Sequence, residues 1–255
     1  FFTGWETMKE LVFGINAVSE ALKGQRRVYK IYAQRERQDK RLEEILTLVR
    51  EKQLKLQYLE KKKMDELCEG KHQGIIAEVE RYPYADLGQV LEKLQAQKDK
   101  PPFLLLLDGI EDPQNLGAII RTAECAGVDG IIIPSHKSAE VNPTVSRVSA
   151  GAVEHMAIIR ENNLVNTIKY LKQEGFWVLG ADARAQQSYF NTSIPSPTAL
   201  VIGGEGQGIR RLVRENCDIL VKIPMFGQLN SLNASVAAAL LIYEVLRQRL
   251  NLLPG

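Results

Sequence analysis

The sequence predicts an α/β protein built as two units, and three features of its residue pattern carry that prediction. Residues 103–107, Phe-Leu-Leu-Leu-Leu, form an unbroken apolar run of strand length, suited to a parallel strand buried on both faces. A helical pattern over 116–126 and a second apolar strand at 130–133 follow it and complete a βαβ unit. Before residue 80, by contrast, short helices and strands alternate at close intervals, giving a small α/β unit near the minimum size that folds alone.

In chain order, residues 14–22 read as a helix, 28–33 as a strand, and 41–51 as an amphipathic helix with Leu42, Ile45, Leu46 and Val49 on one face. Leu54, Leu56 and Tyr58 alternate with polar residues, as a half-buried strand does. A short helix at 63–67 and a strand at 74–79 close this unit, assigned to 8–80 with Met8 read as its start. Residues 81–100 pass from Tyr-Pro-Tyr to a Gln- and Lys-rich amphipathic stretch that stops at Pro101-Pro102; they read as a linker carrying a helix. The second unit, 101–255, continues with strands at 156–159, 177–181, 200–203 and 220–223, helices between them, and a long final helix over 234–249, an open α/β fold.

Composition narrows the function classes. With 45% hydrophobic and 25% charged residues in 255, the chain reads as a soluble globular protein that needs no staples. Cys68, Cys125 and Cys217 are far apart and never form C-x-x-C, which argues against a disulfide framework or a zinc site and points to the reducing cytoplasm. His72, His136 and His155 lie in separate segments without a partner at recognisable spacing, so neither a triad nor a metal site is expected. No apolar run has the length to cross a bilayer. The 33 basic and 31 acidic residues leave a formal charge of only +2, so bulk charge does not announce nucleic acid. Local clusters permit it: Arg26-Arg27 with Lys30, Lys61-Lys62-Lys63, and Lys71-His72 in the first third, and Arg210-Arg211 with Arg214 later.

Two loops after two strands hold the most chemistry. Val201-Ile202 runs into Gly203-Gly204-Glu205-Gly206-Gln207-Gly208, and the strand ending Ile223-Pro224-Met225 leads to Ser231-Leu232-Asn233-Ala234-Ser235 at a helix start. Glycine there allows close backbone approach to a ligand. A dinucleotide fingerprint is disfavoured, because the glycines at 204, 206 and 208 are spaced by two and Glu205 would repel a pyrophosphate; no Lys-Ser or Lys-Thr closes a phosphate loop either. Ser231 and Asn233 serve equally well as helix caps or as groups that position a substrate hydroxyl. After the strand at 103–107, Asn115 stands at a loop mouth and Arg121 six positions on, where both can point toward the strand ends that bind ligands in open sheets. The competing reading makes Asn115 a helix cap and Arg121 a surface cation.

Together, D-P-Q-N-L-G-A-I-I-R-T-A at 112–123, I-G-G-E-G-Q-G-I at 202–209 and I-P-M-F-G with S-L-N-A-S at 223–235 resemble the three ordered motifs of the SPOUT class of RNA methyltransferases, within it the TrmH/RlmB family of ribose 2′-O-methyltransferases. Gly14-Ile15-Asn16-Ala17-Val18 and His72-Gln73-Gly74-Ile75-Ile76-Ala77 resemble the ends of that family's L30e-like substrate-binding domain. The resemblance implies a C-terminal α/β domain tied in a deep trefoil knot, a homodimer, and S-adenosyl-L-methionine held by Gly203, Gly204, Ile223, Met225 and Leu232. It implies Asn115, Arg121, Glu205, Ser231 and Asn233 as the catalytic and positioning set. The first domain would grip RNA through Arg26, Arg27, Lys61, Lys71 and His72. A guanosine of 23S ribosomal RNA is the first expectation and transfer RNA the second; a knotted RNA-binding assembly factor without catalysis, and a nicotinamide enzyme, are the alternatives from other classes.

Overall fold

The computed structural model describes residues 9–35, 37, 39–97 and 100–250; Met8, the expected start of the first unit, lies outside them. The chain divides into two compact units, one made of the residues up to Pro83 together with Val141–His155, the other of Tyr84–Glu140 and the residues from Met156 on.

The first unit opens with β1 (Lys9–Phe13), α1 (Ile15–Lys23), β2 (Val28–Gln34), α2 (Lys40–Glu51), β3 (Lys55–Leu59), α3 (Lys61–Leu67) and β4 (Ile75–Glu80). Its sheet has the order β1-β4-β2-β3, antiparallel except for the β2–β3 pair. The stripe Leu42, Ile45, Leu46 and Val49 is buried as its helical spacing predicts, together with Val18 and Leu22 of α1 and Ile31, Ala33, Ala77 and Val79 of the sheet. Asp39 caps α2, its carboxylate accepting from the backbone N–H groups of Arg41 and Leu42. The segment Val141–His155 belongs here too, although the sequence assigns it to the second unit. Gly151 lies so close to α1 that a Cβ would stand 2.5 Å from Cβ of Glu20.

The second unit contains α4 (Leu87–Ala96), β5 (Phe103–Asp108), α5 (Pro113–Cys125) and β6 (Gly130–Pro134). After the excursion through α6 (Pro143–Val148) in the first unit come β7 (Ile158–Glu161), α7 (Leu164–Gln173), β8 (Trp177–Ala181), β9 (Gln187–Ser188), β10 (Thr198–Gly203), α8 (Arg211–Glu215), β11 (Ile219–Lys222) and α9 (Ala234–Leu250). The sheet is parallel throughout, in the order β7-β6-β5-β10-β8-β11-β9. β5 is buried over its whole length, as an uninterrupted apolar run requires.

Two expectations change. The stretch 81–100 carries its helix, but α4 is no linker element: Leu87, Val90, Leu91 and Leu94 pack with Leu104, Leu106 and Ile168 in the core of the second unit. The helix after β5 begins three residues earlier than the apolar periodicity suggests. Asp112 is its N-cap, accepting from the Gln114 N–H at 2.9 Å, and Pro113 occupies the first turn, where a missing N–H costs nothing. Asn115 is therefore free of the capping role and lies inside the helix, 7% exposed.

Candidate active site

The sheet order reverses beside β5, because β6 and β7 lie on one side of it and β10 and β8 on the other. Loops after β5, β8, β10 and β11 consequently meet at the C-terminal ends of the strands, the place where open parallel sheets bind ligands. A cavity of about 460 Å³ lies there, within the second unit. All five residues expected around the cofactor, Gly203, Gly204, Ile223, Met225 and Leu232, line it, as do Glu205 and Ser231.

Beside the cavity three side chains from three distant segments lock together. Asn115 Nδ2 donates to Glu205 Oε1 at 3.0 Å, and Asn233 Nδ2 donates to the same oxygen at 2.8 Å and to Asn115 Oδ1 at 2.9 Å. A carboxylate only accepts, so both amides turn their NH₂ groups toward it. Asn233 also caps α9: its Oδ1 accepts from the Ser235 N–H at 3.0 Å and the Ser235 hydroxyl at 2.6 Å. Capping and site positioning, alternatives in the sequence, are thus performed by opposite ends of one side chain. Arg121 is not part of this network; it is exposed on α5.

The glycine loop is fixed by residues that the motifs pass over. Asp108, at the end of β5 and 1% exposed, accepts from the Arg210 backbone N–H at 2.7 Å and pairs with its guanidinium at 2.5 Å. Gly204 N–H donates to the Asp108 carbonyl at 2.9 Å. At the end of β8, Asp182 lines the cavity and pairs with Arg184 at 3.0 Å. Burial pushes its carboxyl up, but the hydrogen bonds and charge of Arg184, helped by Arg214, outweigh that and hold it below the ordinary carboxylate range. The available signal for both was an acidic residue at the C-terminal end of an apolar strand. Cys217 is a half-buried thiol that burial pushes up to about 12, which makes it inert as a nucleophile.

Two expected RNA contacts prove to be structural. The Arg26 side chain is 2% exposed, bound by the carboxylates of Glu10 and Glu154 and by the Glu80 carbonyl. His72 is 4% exposed; its Nδ1 accepts from the Gly74 N–H at 3.0 Å, so its proton sits on Nε2, 3.1 Å from Asp65 Oδ1. Neither can grip a phosphate. Arg27, Lys61 and Lys71 are exposed. Among the described residues no group of three or more His, Cys, Asp and Glu is placed to hold a metal ion, and no helix is long and apolar enough to cross a membrane.

Comparison with known proteins agrees with this geometry. Residues 102–243 match the model of the SpoU rRNA Methylase family, and residues 11–85 that of RNA 2′-O ribose methyltransferase substrate binding. YacO of Bacillus subtilis (strain 168), whose name places it in the TrmH family of tRNA/rRNA methyltransferases, is 44% identical over 240 residues, covering 94% of this chain and 96% of its own. A relative in Staphylococcus haemolyticus bearing the same family name is 44% identical over 241 residues, covering 94% and 96%. The structure of the SpoU methyltransferase AviRb from Streptomyces viridochromogenes in complex with the cofactor AdoMet superposes with a TM-score of 0.80 at 27% identity, covering 97% of this chain and 93% of that one.

The cavity suits that cofactor. Its volume lies within the roughly 300–1,000 Å³ of small-molecule sites. Ile202, Ile209, Val221, Ile223 and Leu232 form an apolar wall of the kind an adenine ring packs on, and the Glu205 carboxylate adds negative charge of the kind a sulfonium favours. The chain belongs to the SpoU, or TrmH-type, family of S-adenosylmethionine-dependent RNA methyltransferases.

Proposed function

We propose that this chain methylates a ribose 2′-hydroxyl, with a guanosine of 23S ribosomal RNA as its target, and that it works as a cytoplasmic homodimer. The observation that carries this reading is the convergence of Asn115 and Asn233 on Glu205 at the cavity lined by the five cofactor residues. S-adenosylmethionine supplies a methyl group on positively charged sulfur. The chain's part is to hold the ribose hydroxyl in line and to favour the charge that develops on its oxygen. The two amides bond to Oε1 of Glu205, leaving Oε2 to orient the hydroxyl, with Ser231 on the cavity wall as a further polar contact. A guanidinium is too weak an acid to serve cheaply as a base, so the role of Arg121 is to steady the alkoxide or the adjacent phosphate.

A homodimer accounts for the exposure of Arg121 outside the network. Val236, Leu240 and Tyr243 recur at helical spacing along α9 and are 47%, 38% and 49% exposed, an apolar stripe suited to a second copy. α5 packs on α9, so a copy seated there lies beside the helix that carries Arg121. The trefoil knot is part of the same proposal, supported by family membership and by the insertion of β10 between β5 and β8. Ribosomal RNA is favoured by the description of the matching family, while the relatives' names also admit transfer RNA.

Incubation with labelled S-adenosylmethionine and total RNA, followed by mapping of ribose methylation, tests the substrate: label in 23S RNA is the expected result, and label confined to transfer RNA selects the second reading. Asn233→Asp tests the network, since it sets a second carboxylate 2.8 Å from Glu205 Oε1. Transfer is expected to fall about 10²-fold through misplacement, with cofactor affinity changed far less. Unchanged turnover would remove the network from the mechanism.

A further inference from the structure

With Arg26 and His72 withdrawn from the RNA surface, the first unit offers another. Strand residues alternate between faces. In this sheet Ile31, Ala33, Ala77 and Val79 are buried with α1 and α2, so Lys30, Tyr32 and Glu78 point to the opposite face, where Lys30 is the partner of both Glu78 and Lys55; a register shift between Val28 and Lys30 breaks the alternation and lets Tyr29 join them. One part of that face is covered: Met64 of α3 packs on Phe13 and Ile76, with Tyr32 half-buried at the edge of this cluster, so one side of its ring is engaged and the other faces Lys30. The remainder is basic and aromatic. Lys9 Nζ bonds Glu78 Oε1 at 2.6 Å and lies 4.8 Å from the centre of the Tyr29 ring. Arg27 stands 5.2 Å from the same ring, and Lys30 Nζ 4.7 Å from the Tyr32 ring. The Tyr32 hydroxyl reaches Glu78 Oε2 at 3.4 Å, which ties the two tyrosines into one patch. Among the described residues, Arg27 and Lys30 rest on rings and have no carboxylate within ion-pair distance. Lys55 on β3 and Lys61, Lys62 and Lys63 on α3 are exposed.

We propose that this open sheet face, built on Tyr29 and Tyr32 with Lys9, Arg27 and Lys30, binds single-stranded RNA. Each ring is held upright by a cation on its face, an attraction of modest strength that a nucleobase can replace by stacking. The displaced lysine or arginine then finds a phosphate of the same strand, so binding exchanges a cation–ring contact for one stack and one phosphate pair. Glu78 sets the limit on charge: its pairing with Lys9 leaves Arg27 and Lys30 as the uncompensated cations of the patch. A duplex, whose bases are already stacked and paired, cannot use the rings. The inference rests on the reading that the first unit grips the RNA substrate, and adds the face and the strandedness of what it holds.

The test uses the full chain with fluorescent oligouridine and a perfect RNA duplex as probes. Tyr29→Ala and Tyr32→Ala are each expected to weaken oligouridine binding about tenfold, Tyr→Phe at either position to leave it nearly unchanged, and Lys30→Gln to reduce the salt slope by about one. Unchanged S-adenosylmethionine binding shows that the fold survives in each variant; Tyr32→Ala, which also removes packing on the Met64 cluster, is compared at a temperature well below its unfolding midpoint. If the wild type binds neither RNA, the reading that the first unit grips RNA fails and takes this inference with it. If it binds but the tyrosine variants bind equally well, or if it prefers the duplex, the sheet-face inference alone is overturned.

Discussion

Gly204→Ala is expected to weaken S-adenosylmethionine binding by roughly one to two orders of magnitude, measured by calorimetric titration. A Cβ at this position would stand 2.1 Å from the Gly109 carbonyl oxygen and 2.9 Å from its carbon, against backbone that no rotamer change can move aside. Relief requires the loop to leave the end of β5. That sacrifices the bond from Gly204 N–H to the Asp108 carbonyl and disturbs the pairing of Gly203 with Asp108 and the clasp of Arg210 on the same aspartate. Overpacking of this kind costs about 1–3 kcal/mol, and restoring the loop for the cofactor draws that amount from binding, at about 1.4 kcal/mol per tenfold. Gly203→Ala meets a still closer obstacle, 2.0 Å from the carbonyl carbon of Gly208. Gly227→Ala is the control, because a Cβ there meets nothing within 4 Å. Equal affinity in Gly204→Ala and Gly227→Ala would show that the clasp does not shape the site.

The same two glycines show what the sequence could and could not disclose. Their place on the wall of a ligand-sized cavity was legible from the strand–loop pattern, but the reason for glycine was not. Gly203 and Gly204 are small because one loop backbone lies against another, and only the fold reveals that second backbone. Asn115, Glu205 and Asn233 were legible as candidates because each stands at a strand end or a helix start, and such positions converge at a reversal of sheet order. Their mutual bonds span 90, 118 and 28 positions and follow from no local rule. The start of α5 was readable from Asp112-Pro113, an acidic cap followed by proline, and was displaced only because apolar periodicity begins at Leu116. Arg26 is the opposite case. An Arg-Arg pair after a helix resembles a solvated surface, and its burial depends on Glu154, 128 positions away in a segment that belongs to the other half of the sequence.

Removing that arginine is expected to destabilise the first unit strongly. In Arg26→Ala the carboxylates of Glu10 and Glu154, whose side chains are 13% and 1% exposed, lose the guanidinium that binds both. Breaking a buried pair from one side costs about 3–5 kcal/mol, because the remaining charges lack both partner and water. Glu154 also ties Val141–His155 to the rest of the unit, so the loss falls on a contact that holds a distant segment in place. The deficit depends on pH in a fixed direction. In the intact protein burial pushes the Glu10 carboxyl up by more than the charge and hydrogen bond of Arg26 pull it down. A group raised on folding adds stability in full below its unfolded value near 4.5 and loses it as pH rises through the folded value. Without Arg26 that folded value climbs further, so the deficit is largest near neutral pH and narrows on acidification. Urea unfolding at about pH 7 and about pH 5 measures both quantities. Adding Glu10→Gln and Glu154→Gln to Arg26→Met should recover part of the loss, since no charge then remains to be compensated. A deficit independent of pH, or a triple variant no better than Arg26→Ala, would assign the cost to lost packing around the arginine stem instead of to the stranded carboxylates.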